Sequence, residues 1–180
     1  MLPIVPIQPK HVSEYAEAAG EEAVDRLREA ARQLPGLRVL NVSSTAYGGG
    51  VSELLQTQVP LMNDLGVETS WVVIEGSDRF FNVTKAVHNA LQGAETQLDD
   101  EMRETYWERM HANAAELPVD FDVILVHDPQ PAEKLGGRLG FEVLEFHFPH
   151  AGCVLWGKPV HRNRKRSTPA RGVVDRRSGG

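Results

Sequence analysis

The chain is short of cysteine, of long apolar runs and, over most of its length, of positive charge, and each shortage closes off a class of protein. Its 180 residues include a single cysteine, Cys153, so no internal disulfide forms and no cysteine cluster holds a structural zinc. No apolar stretch approaches the roughly 18 residues that a membrane-spanning helix needs. The amino terminus lacks the basic-then-apolar pattern of a secretory signal. The expectation is a cytoplasmic protein with no membrane partner, in which the sequons at Asn41 and Asn82 have no meaning because glycosylation needs a secretory route.

What is present is a globular composition, 41% hydrophobic and 24% charged, enough for one domain with a sizeable core. The net charge of −6 conceals a division. Through Lys134 there are 10 Lys and Arg against 22 Asp and Glu, whereas residues 135–180 carry 9 against 3. The basic run Arg162-Asn163-Arg164-Lys165-Arg166 invites a nucleic-acid reading. It has no interleaved aromatics for base stacking, and the rest of the chain is acidic, so no nucleic-acid partner is expected. His147/His150 and Cys153/His161 lack the paired spacing of a zinc site, so no metal is expected.

Periodicity organises the first part. Apolar residues from Val12 to Leu34 follow helical spacing, with Gly20 breaking two helices and Pro35-Gly36 ending the segment. Leu37 to Val42 reads as a buried strand. A helix follows with Val51, Leu54, Leu55, Val59, Met62 and Leu65 on one side, a bend at Pro60 and a stop at Gly66. Glu68 to Glu75 holds a second strand. Phe80, Val83, Thr84, Val87 and Leu91 mark a helix ending before Gly93. Another spans Asp99 to Glu116 with a core stripe at Met102, Tyr106, Met110 and Ala114. Phe121 to Val126 is a third strand, stopping at His127-Asp128-Pro129-Gln130-Pro131. Alternation of this kind implies an α/β fold, a Rossmann-like parallel sheet with helices on both faces. Ligands of such sheets gather at the carboxyl ends of strands.

The first strand runs into Thr45-Ala46-Tyr47-Gly48-Gly49-Gly50-Val51. Three glycines let the backbone turn sharply and lie against a ligand, and the helix behind them offers unpaired N–H groups and a positive dipole end to a phosphate. The same cluster is also what a tight turn alone would use. No glycine closes a dinucleotide fingerprint after it.

These residues, with Val73-Ile74-Glu75-Gly76, Phe80 to Lys85, His88 to Gly93 and His127 to Pro131 in the same order, resemble the trehalose synthases of the glycosyltransferring type. The resemblance covers residues 10–134. It implies the amino-terminal half of a GT-B glycosyltransferase, here incomplete, which moves glucose from a nucleotide-diphosphate glucose donor to a glucose acceptor with retention. No cofactor and no metal are implied. Gly48, Gly49 and Gly50 would lie under the donor diphosphate and beside the acceptor, His127 would approach the transferred glucose, and Asp128 and Gln130 would bond sugar hydroxyls. Glu75 and Lys85 belong to the same cleft. Each also has a plainer reading: His127 as a hydrogen-bonded strand-end histidine, Lys85 and His88 as helix surface, Glu75 as a cap on the turn at Gly76.

The family's second domain should bring an Arg/Lys pair and a Glu-x7-Glu motif. The glutamates spaced eight apart at Glu14/Glu22, Glu21/Glu29 and Glu108/Glu116 fall on amphipathic helices and read as solvated faces. From Leu135 the resemblance stops. The organisation expected is a helical extension at 1–36, a Rossmann-like domain at 37–134 and an atypical basic tail at 135–180, out of frame or disordered apart from strand-like alternation at Phe141 to Phe148. A sheet ending at Val126 would leave a bare edge, which favours a homo-oligomer or aggregation. The alternatives are a non-catalytic sugar-binding or interaction fragment, a gene remnant, and a retaining trehalose phosphorylase-like domain using glucose 1-phosphate.

Overall fold

Three parallel strands form the heart of the molecule. The computed structural model describes residues 1–91, 93–118 and 120–127, together with the backbone of two short strands beyond them. Strand β1 (Arg38–Ser43) pairs in parallel with β2 (Glu68–Val73) on one side and with β3 (Val123–His127) on the other. Strands β4 (Glu142–Leu144) and β5 (Cys153–Gly157) extend the sheet in the order β2-β1-β3-β5-β4, with β5 antiparallel to both β3 and β4. The expected bare edge at β3 is therefore corrected, because the backbone of β5 supplies hydrogen-bond partners along it. Two pieces of the 135–180 segment are strand, and the run Arg162 to Arg166 lies outside the described residues.

The helices stand where the 3.6-residue period places them. A 3-10 turn (Val12–Tyr15) and α1 (Ala16–Ala19) are separated from α2 (Glu21–Arg32) by Gly20 at φ 87°. Helix α3 (Gly50–Asp64) runs through Pro60 and closes at Gly66, whose φ is 85° and whose N–H donates to Asn63 O at 3.0 Å. Its buried residues are Ser52, Leu55, Val59 and Pro60, while Leu54, expected on the same side, is 51% exposed. The neighbour of a buried helical position is turned about 100° away from it. Helix α4 (Asp78–Leu91) and α5 (Asp100–Glu116) complete the set. Asp99 caps α5 by accepting from Met102 N–H at 2.7 Å, and Met110 and Ala114 are the buried members of its stripe.

Alternation along the strands sends side chains to two cores. Leu40, Val42, Val72 and Ile74 pack with Phe80, Met110 and Ala114 of α4 and α5, whereas Trp71 joins Leu55 and Val59 of α3. Helices thus cover both faces. Each large side chain removed from water in this way contributes about 1.5–3 kcal/mol. The first eleven residues are an extended arm lying antiparallel beside β2. Ile4 bridges Val72, Val5 N–H donates to Trp71 O at 2.9 Å, and Val73 N–H donates to Pro3 O at 3.3 Å. Leu2 enters one core and Val5 the other, so the arm straddles the sheet edge. No helix among the described residues is long and apolar enough to cross a membrane.

Arg38 anchors the end of the sheet opposite the carboxyl rim. Its side chain pairs with Asp120 and Glu68, lies 5.0 Å over the Phe121 ring, and its N–H donates to Asp122. The bond to Asp120 above all raises its pKa further.

Candidate functional site

Because β2, β1 and β3 are parallel neighbours, their carboxyl ends share one rim. In register, Ser43 lies opposite Val73, and Val42 opposite Val126. The glycine turn leaves β1, Glu75 follows β2, and His127 ends β3, so the rim brings these three together.

The turn is held by its own hydrogen bonds. Thr45 Oγ1 donates to Tyr47 O at 2.8 Å and accepts from Tyr47 N–H, Gln56 Nε2 donates to Ala46 O, and the Ser52 hydroxyl lies 2.9 Å from both Gly48 O and Gly49 O. Trp71 Nε1 donates to Ser43 Oγ at 2.8 Å, and that hydroxyl donates on to Thr45 O at 3.0 Å. A buried core indole is thereby wired to the loop. Gly48 and Gly49 have φ of 74° and 90°, a region that side chains with a Cβ rarely adopt. All three glycines are exposed, open space lies where their Cβ atoms would stand, and no side chain caps the first turn of α3. Helix starts leave such N–H groups for outside acceptors.

His127 is 4% exposed, and its Nε2 lies 2.9 Å from Asn41 Oδ1. Asn41 Nδ2 donates to Ser70 O at 3.3 Å, which orients Oδ1 as the acceptor and so puts the hydrogen of the histidine on Nε2. The strand-end reading of His127 is thus realised in its hydrogen bond, and one ring nitrogen is committed to the sheet interior. Asn41, fully buried in the central strand, holds the ring through this bond.

Glu75 is exposed, yet its peptide group is clamped. Asn113 Oδ1 accepts its N–H at 2.8 Å, and Asn113 Nδ2 donates to its C=O at 2.8 Å and to Arg109 O at 3.0 Å. Glu75, Gly76, Ser77, Ile74, Phe81 and Arg109 line an open depression of about 440 Å³. Lys85 is exposed on α4, seven residues beyond its start at Asp78, or about 10 Å further along the helix axis. Asp128 and Gln130 lie outside the described residues. Among the described residues no three metal-ligating side chains cluster.

Asn41, Asn113 and Arg109 were not singled out by the sequence. An asparagine inside the run Val39-Leu40-Asn41-Val42 is a legible signal of a buried polar role. Asn113 has none, because its partner is 38 residues away.

Comparison with known proteins follows the same outline. Residues 41–138 match the family described as trehalose synthase, N-terminal domain. The chain is 46% identical over 125 residues to trehalose synthases of Thermococcus litoralis and Pyrococcus furiosus, an alignment covering 68% of this chain and 30% of each relative. It is 45% identical over 136 residues to the trehalose synthase of Rubrobacter xylanophilus, covering 73% of this chain and 33% of that protein. The chain spans about a third of the length of these relatives.

Proposed function

Because the chain belongs to the trehalose synthase family, whose N-terminal domain it matches over more than half its length, we propose that it forms the acceptor-side half of a retaining glucosyltransferase. It takes a nucleotide-diphosphate glucose as donor and glucose as acceptor, in the cytoplasm. The observation that carries this reading is the shared rim, where the glycine turn and Glu75 follow, and His127 ends, three adjacent parallel strands. Transfer with retention builds positive charge on the sugar ring and negative charge on the departing diphosphate, and fixed dipoles placed before the reaction stabilise both. The uncapped start of α3 behind Gly48 to Gly50 suits the diphosphate. His127, held by Asn41, lies against the transferred glucose, and Asp128 and Gln130 bond its hydroxyls. Lys85 contributes only if the donor reaches well beyond the strand ends. The acceptor's proton leaves with the diphosphate on the same face, so no paired glycosidase carboxylates are needed.

Turnover needs the family's second domain with its Arg/Lys pair and Glu-x7-Glu motif. The chain by itself therefore binds sugar without consuming the donor, and residues 135–180, of which the family match takes in only the first four, are read as an out-of-frame or truncated tail. Titration of the 15N-labelled chain with a nucleoside diphosphate glucose tests the donor role. The amides of Gly48 to Ser52 are expected to shift, and Gly49→Ala, forced out of its φ of 90°, should weaken binding about tenfold. Unmoved loop amides, or donor consumption by this chain alone, would refute the respective halves of the proposal.

A further inference from the structure

The peptide oxygens of the glycine turn are held one after another by side chains. Thr45 O accepts from the Ser43 hydroxyl at 3.0 Å, Ala46 O from Gln56 Nε2 at 3.3 Å and Tyr47 O from Thr45 Oγ1 at 2.8 Å, while the Ser52 hydroxyl stands 2.9 Å from both Gly48 O and Gly49 O. In a trans peptide the N–H of the next residue points opposite to the C=O, so oxygens held against the protein turn the N–H groups of Gly48, Gly49 and Gly50 the other way. A row of such N–H groups suits an anion. Thr45, Ser52 and Gln56 belong to the turn or to α3, the helix it opens, so their bonds brace the turn against its own helix. Ser43 is different. It is the last residue of β1, 1% exposed, and its bond ties the turn to the sheet.

Trp71 on β2 directs that bond. A hydroxyl has one hydrogen, and an indole N–H only donates. The Ser43 oxygen accepts from Trp71 Nε1 at 2.8 Å, which leaves its own hydrogen for Thr45 O. Trp71 is also 1% exposed, so the two bonds run in series away from bulk water, where each strengthens the other. The indole is fixed in turn: Val5 of the arm and Leu55 and Val59 of α3 pack with it, and its C=O accepts Val5 N–H at 2.9 Å. Ala46 and Val51, which bracket the turn, rest on the same cluster. We infer that Trp71, acting through the Ser43 hydroxyl, is the positioning residue of the diphosphate-facing turn. It touches no ligand itself. Without the indole N–H, the Ser43 oxygen is left a buried acceptor short of a donor, its hydrogen is no longer directed, and the glycine N–H groups lose their common aim. This deepens the donor role proposed above and rests on it.

The test compares the full chain with its Trp71→Phe, Ser43→Ala and double variants by NMR. Relaxation of 15N without ligand should show the backbone order parameters of Ala46 to Gly50 falling in both single variants while those of α5 stay unchanged. They should fall no further in the double variant, because the indole acts only through the hydroxyl. Titration with pyrophosphate and with uridine diphosphate glucose, each alone, should show about fivefold weaker binding in all three variants. Ile124→Ala, which empties space in the core on the other face of the sheet, should lower the denaturant midpoint and leave both order and affinity as they were, which separates positioning from lost stability. In the unaltered chain the Trp71 indole N–H resonance should shift in step with the amides of Gly48 to Ser52, and that of Trp107 on α5 should stay. Should Trp71→Phe fail to fold, Ser43→Ala and the indole resonance decide the matter. A turn as ordered in Ser43→Ala as in the unaltered chain, or losses that simply add in the double variant, overturns the inference. Where the turn amides move with both ligands and the variants bind as tightly as the unaltered chain, the inference falls and the donor reading stands. If neither ligand moves those amides, the donor reading falls and takes the inference with it.

Discussion

Two buried asparagines, Asn41 and Asn113, set the orientation of the chemistry-bearing residues on the rim, and each does so through a bond to a residue distant in sequence. Asn41 holds His127 across 86 positions and Asn113 holds Glu75 across 38. Gly76 is the third residue whose identity the fold dictates. Gly76→Ala would drive a methyl group into Phe80, a core side chain stacked on Tyr106 and edge-on to Phe81. Overpacking of this kind costs about 1–3 kcal/mol, expected as a lower denaturant midpoint at unchanged slope; a midpoint equal to the unaltered chain would mean that Phe80 can move aside. At this scale the sequence was legible where a residue type is unusual for its setting, as with Gly48 to Gly50 and His127. It was silent on Asn113 and Arg109, because an asparagine and an arginine on an amphipathic helix look like ordinary surface residues until the fold brings Glu75 alongside.

Elements were legible because their periods are distinct. The strands β1, β2 and β3 and the helices α3, α4 and α5 stand within a few residues of where apolar spacing placed them. The antiparallel β5 was not anticipated, since Cys153 to Gly157 lies in a stretch with little periodicity. The extended arm was missed for a different reason: residues 2–9 carry three prolines, Pro3, Pro6 and Pro9, and no regular period.

The joint between the arm and α3 is pH-sensitive. Asp64, the last residue of α3, accepts Val12 N–H at 2.8 Å and pairs with His11 Nδ1 at 2.8 Å. The Val12 bond first and the His11 bond second hold the Asp64 carboxyl below its usual pKa, while Asp64 raises that of His11. The contribution of Asp64 is present above about pH 3.8 and is lost as pH falls through its lowered pKa. That of His11 is complete below about 6.5 and is lost as pH rises through its raised pKa. The joint is firmest between those limits. The melting temperature of His11→Gln should trail that of the unaltered chain at pH 6 and converge with it by about pH 8–9. A constant difference across that range would exclude the ionised pair as its source.

On the scale of the whole molecule, the sheet ends at β4 on one side, and on the other the arm pairs with β2. Deletion of residues 1–11 would strip the partners from Val73 N–H and Trp71 O and uncover both cores at once. Open strand edges pair with other chains. The shortened protein should elute as higher-order species at micromolar concentration and melt at lower temperature, whereas a monomeric product of equal stability would show that the arm is dispensable.

The arm also has a consequence in time. It is synthesised before β2, and its partners Trp71, Val72 and Val73 lie some seventy residues further along the chain. At about 5–20 residues per second, Leu2 and Val5 stay undocked for several seconds of synthesis. The arm is thus made well before it can settle, and any factor that binds nascent apolar segments would meet it before β2 does.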